Sequence, residues 1–175
     1  MIRSLMCVLT FASLFAIAGC GSAGSGGSTS MFEDGTATHS EAPVNPGFTS
    51  VVGNKPTAAD ANTVSLTCSN TSYPTAIRKS PYTIKNIVVR YTKIDNANFV
   101  LSENINSQPT MLSGGSVVIP ITIATAPVKD SLLDNGFVVG TSWNFYVNVS
   151  FTIYEDLSGK SNPFTNVPLG TVQFN

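Results

Sequence analysis

The sequence predicts an all-β domain, an antiparallel immunoglobulin-like β-sandwich of about seven strands. Three observations carry this. Residues 143–154 (WNFYVNVSFTIY) alternate without a break, with Trp143, Phe145, Val147, Val149, Phe151 and Ile153 on one face and Asn144, Tyr146, Asn148, Ser150, Thr152 and Tyr154 on the other. Side chains alternate across a strand, so this is a strand with one face on a core and one in water. The same period of two recurs in several shorter runs separated by turn residues, and no long helical period appears anywhere in the chain.

Taken in order, Phe48 to Val52 is a candidate first strand. Val64, Leu66 and Cys68 alternate with Thr63, Ser65 and Thr67 to give a second. Ile87, Val89 and Tyr91 alternate with Asn86, Val88 and Arg90, and Phe99 to Leu101 follows as a weaker run. Val117, Ile119, Ile121 and Ile123 form the next strand. It contains Pro120, which has no N–H for a ladder and predicts an edge or a bulge. Residues 127–135 (PVKDSLLDN) fit one or two helical turns opening on Pro127. After the 143–154 strand, Thr171 to Phe174 is a short closing strand. Ser80-Pro81, Ser113-Gly114-Gly115, Asp134-Asn135-Gly136, Ser158-Gly159 and Asn162-Pro163 are the turn signals between these runs.

The N-terminus has a different character. Arg3 and the terminal amine precede the uncharged 14-residue run Leu5–Ala18, which ends at Gly19-Cys20. A bilayer span needs about 20 apolar residues, so the run has the length of a signal-peptide core rather than a membrane helix. Ile17-Ala18-Gly19-Cys20 resembles the lipobox of bacterial lipoproteins. The resemblance implies that residues 1–19 are a signal peptide, that Ile17, Ala18 and Gly19 are read by the lipoprotein signal peptidase, and that Cys20 is lipidated. Ala16-Ile17-Ala18 leaves ordinary secretion as the alternative. In that family an Asp directly after the Cys favours the inner membrane. Gly21 stands there, which implies a lipid anchor in the outer membrane, with either the periplasmic or the surface face open.

Cleavage would leave 156 residues, enough for one domain with a core. Without Arg3 the basic residues number eight against ten acidic ones, a net charge of −2 with no cluster of either sign. That composition predicts no nucleic-acid partner and no polybasic membrane patch. Residues 20–46, opening GSAGSGGSTS after the cysteine, are expected to be a flexible tether, and residues 47–175 the domain. Of three cysteines, Cys7 leaves with the leader and Cys20 is acylated, so Cys68 is left without a disulfide partner. Because it shares the apolar face with Val64 and Leu66, it reads as a small buried hydrophobe.

Catalytic, metal and cofactor sites are expected to be none. The single histidine, His39, falls in the expected tether, where a base is badly placed to serve a nucleophile. Met31 and Phe32, in the same stretch, read as isolated apolar residues. The acidic groups Asp95-Asn96, Asp134-Asn135-Gly136 and Glu155-Asp156 read as turn residues, with none of the spacing of a calcium loop. Glu155 and Asp156 are poor partners for glycoside chemistry, since adjacent strand residues face opposite ways. Tyr146 and Tyr154 share the polar side of their strand and are the candidate binding surface for a sugar or a protein. Asn70-Thr71-Ser72 and Asn148-Val149-Ser150 match the glycosylation sequon.

The runs IKNIVVRYTKI (84–94), 143–154, EDLSGKSNP (155–163) and LGTVQF (169–174) together resemble immunoglobulin-like or fibronectin-III-like modules of bacterial envelope lipoproteins. The Cys…Trp…Cys spacing of antibody domains is missing, because Cys68 has no mate and Trp143 comes late. The resemblance implies a non-enzymatic binding or scaffolding module for another envelope component. The alternative is a surface adhesin or carbohydrate-binding module using an exposed aromatic face or loops.

Overall fold

A computed structural model of the chain describes residues 29–44, 48–76 and 79–175. The expected leader, with Ile17, Ala18, Gly19 and Cys20, lies outside the described residues. The rest is all-β. Its strands are β1 (Thr29–Met31), β2 (Gly35–Glu41), β3 (Thr49–Ser50), β4 (Asn62–Ser72), β5 (Tyr82–Lys93), β6 (Asn96–Ile105), β7 (Thr110–Met111), β8 (Ser116–Ile123), β9 (Trp143–Glu155) and β10 (Ser161–Phe174). One helix, α1 (Ala126–Asp134), follows β8.

Two sheets pack face to face. One runs β1-β2-β4-β8 and the other β3-β10-β9-β5-β6, with β7 added beside β5. Pairing is antiparallel except between β3 and β10. The period-two runs land as their patterns require. Val64, Leu66 and Cys68 of β4 and Ile119, Ile121 and Ile123 of β8 are buried from one sheet, and Phe145 to Ile153 of β9 from the other. Strand β8 is an edge strand, which is where Pro120, opposite Ser65, is tolerated. Tyr91 ties the layers together: its hydroxyl, deep in the core, accepts the Ala124 N–H at 3.2 Å where the chain leaves β8. Cys68 is fully buried, and the lack of solvent pushes its thiol up to about 12.

The domain starts earlier than the composition suggests. Residues 29–41, expected as tether, form the β1–β2 hairpin, and β2 pairs with β4 from Gly35–Ser72 to Glu41–Leu66. Ala37 and His39 point inward, while Thr36, Thr38 and Ser40 point out. His39 is therefore a core residue, not a linker residue. Its ring sits edge-on to Phe151 and Phe164, at 5.4 and 5.0 Å between centroids, and its Nδ1 meets Glu41 at 3.2 Å. Phe32 is buried too, edge-on to Tyr82. Among the described residues the strand count is ten, because β1, β2 and β7 had no readable apolar alternation.

Strand β10 is also longer than its sequence suggested. It takes in Asn162-Pro163, which is strand rather than turn. Register shifts near Asn166 (φ 55°) and Gly170 (φ 131°) change which residues face the core, from Phe164 to Val167 and Leu169 and then to Val172 and Phe174. Its two prolines, Pro163 and Pro168, fall outside the short stretch that pairs with β3 at Gln173 and Phe174.

Helix α1 covers the 53–61 loop through a buried lysine. Lys129 Nζ donates to the Ala59 carbonyl at 2.5 Å, and burial lowers the pKa of its amine from the ordinary 10.5.

Two outcomes follow from these contacts. A Cβ on Gly35 would lie 2.1 Å from the Thr71 carbonyl oxygen and 2.9 Å from Ser72 Cα, so β2 and β4 must part to admit it. Gly35→Ala is expected to cost about 3 kcal/mol in urea unfolding; a loss under about 0.5 kcal/mol would show that the strands yield freely. For Lys129, the depressed folded-state pKa means that its stability contribution is full above 10.5 and is lost as pH falls through the lower folded value. Measured against Lys129→Met, the wild type should gain stability as pH rises toward 10.5; parallel pH profiles would contradict this.

Candidate functional site

Strand β9 alternates through one residue more than its apolar run. Position 155 is the next inward site after Ile153, and Glu155 occupies it with 1% of its surface exposed. Asp156, one residue on, faces out and accepts the Thr83 hydroxyl at 3.0 Å. The two acids do point to opposite faces, but Glu155 is not a turn residue: it is a buried carboxylate at one pole of the sandwich.

Four donors meet it there. The Asp34 N–H reaches Oε1 at 2.7 Å and the Glu33 N–H reaches Oε2 at 3.2 Å. The Tyr82 hydroxyl donates to Oε1 at 3.4 Å, and the Ser158 hydroxyl to Oε2. The carboxylate thus holds two backbone N–H groups of the β1–β2 turn, which belongs to the opposite sheet. Burial, and after it the negative charges of Glu155 and Asp34, raise the Tyr82 pKa, so its phenol stays a donor.

Asp34, 3% exposed, turns the other way. Its Oδ2 accepts the Ser80 N–H and the Ser113 hydroxyl, each at 2.8 Å, and the Ser113 hydroxyl also meets that of Ser72. Its carbonyl accepts the Tyr73 N–H at 2.8 Å. Its other carboxylate oxygen, Oδ1, is buried with no hydrogen-bond partner. Above these groups opens a cleft of about 570 Å³ lined by Glu33, Asp34, Thr75, Ala76, Ser80, Glu155, Leu157 and Ser158. Asp34, Ser80 and Glu155 form its buried floor; Glu33 and Leu157 stand exposed at the rim, where Lys160 reaches Glu33 at 3.1 Å.

The tyrosines expected as a surface are placed differently. Tyr146 and Tyr154 both project from the outward face of β9, eight residues apart, which is about 26 Å along a strand. Asn148, Ser150 and Thr152 lie between them, so the two rings are not brought together. Tyr154 is half-buried under Lys85, whose ammonium lies 5.0 Å from the ring centroid. Tyr146 is 53% exposed in a row running Thr171, Tyr146, Thr92, Val100 across β10, β9, β5 and β6. On this outward face, the described residues of those four strands carry Lys85 and Arg90 but no carboxylate.

Two further residues singled out by sequence have structural roles. Asn70 is buried, donates through Nδ2 to the Leu112 carbonyl at 2.7 Å and accepts the Gly114 N–H on Oδ1 at 2.5 Å, so its sequon amide clamps the 112–115 turn. Cys68 faces the core between His39 and Val117 in the ladder. Among the described residues, no group of three or more His, Cys, Asp or Glu is arranged to hold a metal ion, and no helix is long and apolar enough to cross a membrane.

Replacing Glu155 by Gln leaves one oxygen and an NH₂ where four donors converge. The NH₂ would face donors rather than acceptors, so Glu155→Gln should cost about 3 kcal/mol in denaturant unfolding. Hydrogen exchange at the Glu33 and Asp34 amides should also accelerate selectively. Unchanged exchange at those two amides would refute the lock.

Comparison with known proteins brings no assignment to this arrangement: no family model matches the chain, and no curated protein matches it.

Proposed function

We propose that this chain is a lipid-anchored protein of the bacterial outer membrane whose immunoglobulin-like sandwich acts as a non-enzymatic binding or scaffolding module for another envelope component. The observation that carries the binding role is the division of labour among polar groups. Glu155, His39 and Asn70 are engaged in holding the turns and the core, while the acid-floored cleft lies open at the surface. The anchoring role rests on Ile17-Ala18-Gly19-Cys20. With β1 starting at Thr29, nine residue steps separate the domain from the anchor, so the two stay within about 30 Å of each other. A partner is then met close to the lipid surface.

The second reading, an adhesin or carbohydrate-binding module, is favoured by one observation, the exposed Tyr146 on a sheet face without carboxylates. An aromatic ring among hydroxyl and amide side chains suits a sugar.

Cys20→Ala should abolish acyl labelling and release the protein from membranes; labelled, membrane-bound variant would sink the anchor. A pull-down of the lipidated protein from its own membrane should recover one stoichiometric envelope protein. Recovery of none, together with saturable glycan-array binding lost in Tyr146→Ala, would instead establish the carbohydrate reading.

A further inference from the structure

We infer that a notch in the edge of the larger sheet, where β6 gives way to β7 beside β5, binds an uncharged sugar. This site rests on the carbohydrate reading and gives it a place apart from Tyr146. Strand β6 leaves β5 after Ile105, opposite Ile87, and β7 joins it at Thr110, opposite Thr83. Residues 106–109 bridge the gap, tied back where the Ile84 N–H donates to the Pro109 carbonyl at 2.9 Å. At the gap β5 bulges, and its register with β9 jumps from Lys85 to Val88. Asn86, in the bulge, has φ 55° and is the one residue of β5 with no partner in β6, β7 or β9. Left-handed backbone of this kind is uncommon outside glycine, and asparagine tolerates it better than most.

The gap is a cavity of about 320 Å³, at the small end of the range for ligand pockets. Four amides, those of Asn86, Asn104, Asn106 and Gln108, line it together with the Ser107 hydroxyl. None of these five side chains hydrogen-bonds to another described residue. The Asn70 amide, by contrast, is engaged at both ends by a turn. Ile87 and Ile105 supply an apolar floor, and no charged side chain is among the lining residues. The notch therefore holds no cation to select a phosphate or carboxylate, and no carboxylate to select a metal ion or an amine. An amide presents a donor and an acceptor side by side, and so matches neighbouring hydroxyls, each of which is both. A sugar ring carries such hydroxyls around its rim and C–H groups on its faces, which suits amides above an apolar floor. A peptide also offers neutral donors and acceptors, but it would run along the β5 edge as an added strand. Strands β6 and β7 and the bridge between them already occupy that edge.

The test follows the side-chain NH₂ signals of the intact, isotope-labelled chain by heteronuclear NMR in polyoxyethylene-ether micelles, which carry no sugar. Maltotetraose, cellotetraose and chitotetraose are the neutral probes, and tetragalacturonate is the anionic counterpart. At least one neutral sugar should shift the NH₂ signals of Asn86, Asn104, Asn106 and Gln108 saturably. Tetragalacturonate should bind at least about threefold more weakly, since its carboxylates would be desolvated without a cation. Asn104→Ala and Asn106→Ala, both at exposed positions, should each weaken the sugar about fivefold, the loss of roughly one net hydrogen bond. No saturable shift at these signals with any of the three sugars overturns the inference. So does tetragalacturonate binding equally or more tightly, or unchanged affinity in both alanine variants. The blocked peptide acetyl-Ser-Gly-Ser-Gly-amide, if it shifts the same signals as tightly as the sugar, overturns it too. The carbohydrate reading is decided separately. Sugar binding lost in Tyr146→Ala but kept in both asparagine variants leaves that reading standing and removes the notch from it. Binding of none of the sugars anywhere on the chain counts against both.

Discussion

The Glu155 carboxylate is the point on which the architecture turns. It enters from the end of β9 and captures the N–H groups of Glu33 and Asp34 in the hairpin of the other sheet. Hydrogen bonds to an ionised acceptor contribute about 1.5–3 kcal/mol each, set against a desolvation penalty of several kcal/mol for the buried charge. The net gain is modest, but the specificity is not: only one placement of the hairpin supplies these donors. Phe32 is then delivered onto Tyr82, and His39, further along β2, edge-on against the stacked pair Phe151 and Phe164. Hydrophobic burial holds the sheets together, and the carboxylate fixes how the first hairpin sits on them.

How much of this the sequence disclosed depended on whether a strand kept one phase and had large residues facing in. Strands β4, β8 and β9 did both and were legible residue by residue. Strand β2 keeps phase, but its inward residues are Ala37 and His39, so its hydrophobic signal is too weak to distinguish from a linker. Strand β10 has the large residues but changes phase at two bulges, which hid all but its last turnless stretch. The site was missed for a related reason. Extending the β9 alternation by one step puts Glu155 on the core side, a signal present in the sequence but masked by the turn residues after it. Its partner Asp34 carried no local signal, because a polar hairpin tip looks the same whether it is solvated or clamped.

The distribution of charge is the converse of the core. Across β2, β4 and β8 the outward positions are serine and threonine with Val118 and Pro120, and the other sheet shows only two cations on its outward face. Carboxylates gather instead at the hairpin pole, around the cleft. A module built this way has an electrically quiet flank and one polarised end.

The short β1 strand has a mechanical consequence. Were the protein held at its N-terminal side and loaded through a partner, tension would reach β1 before the other described strands. It meets first an edge strand of three residues paired only with β2. That pairing can peel at low force, like the lip of an adhesive strip. Peeling then stops at the hairpin, where Glu33 and Asp34 are fastened to the opposite layer by Glu155. The carboxylate is thus a stop as well as a latch: beyond it, extension requires β2 to come off β4 and His39 to leave the core.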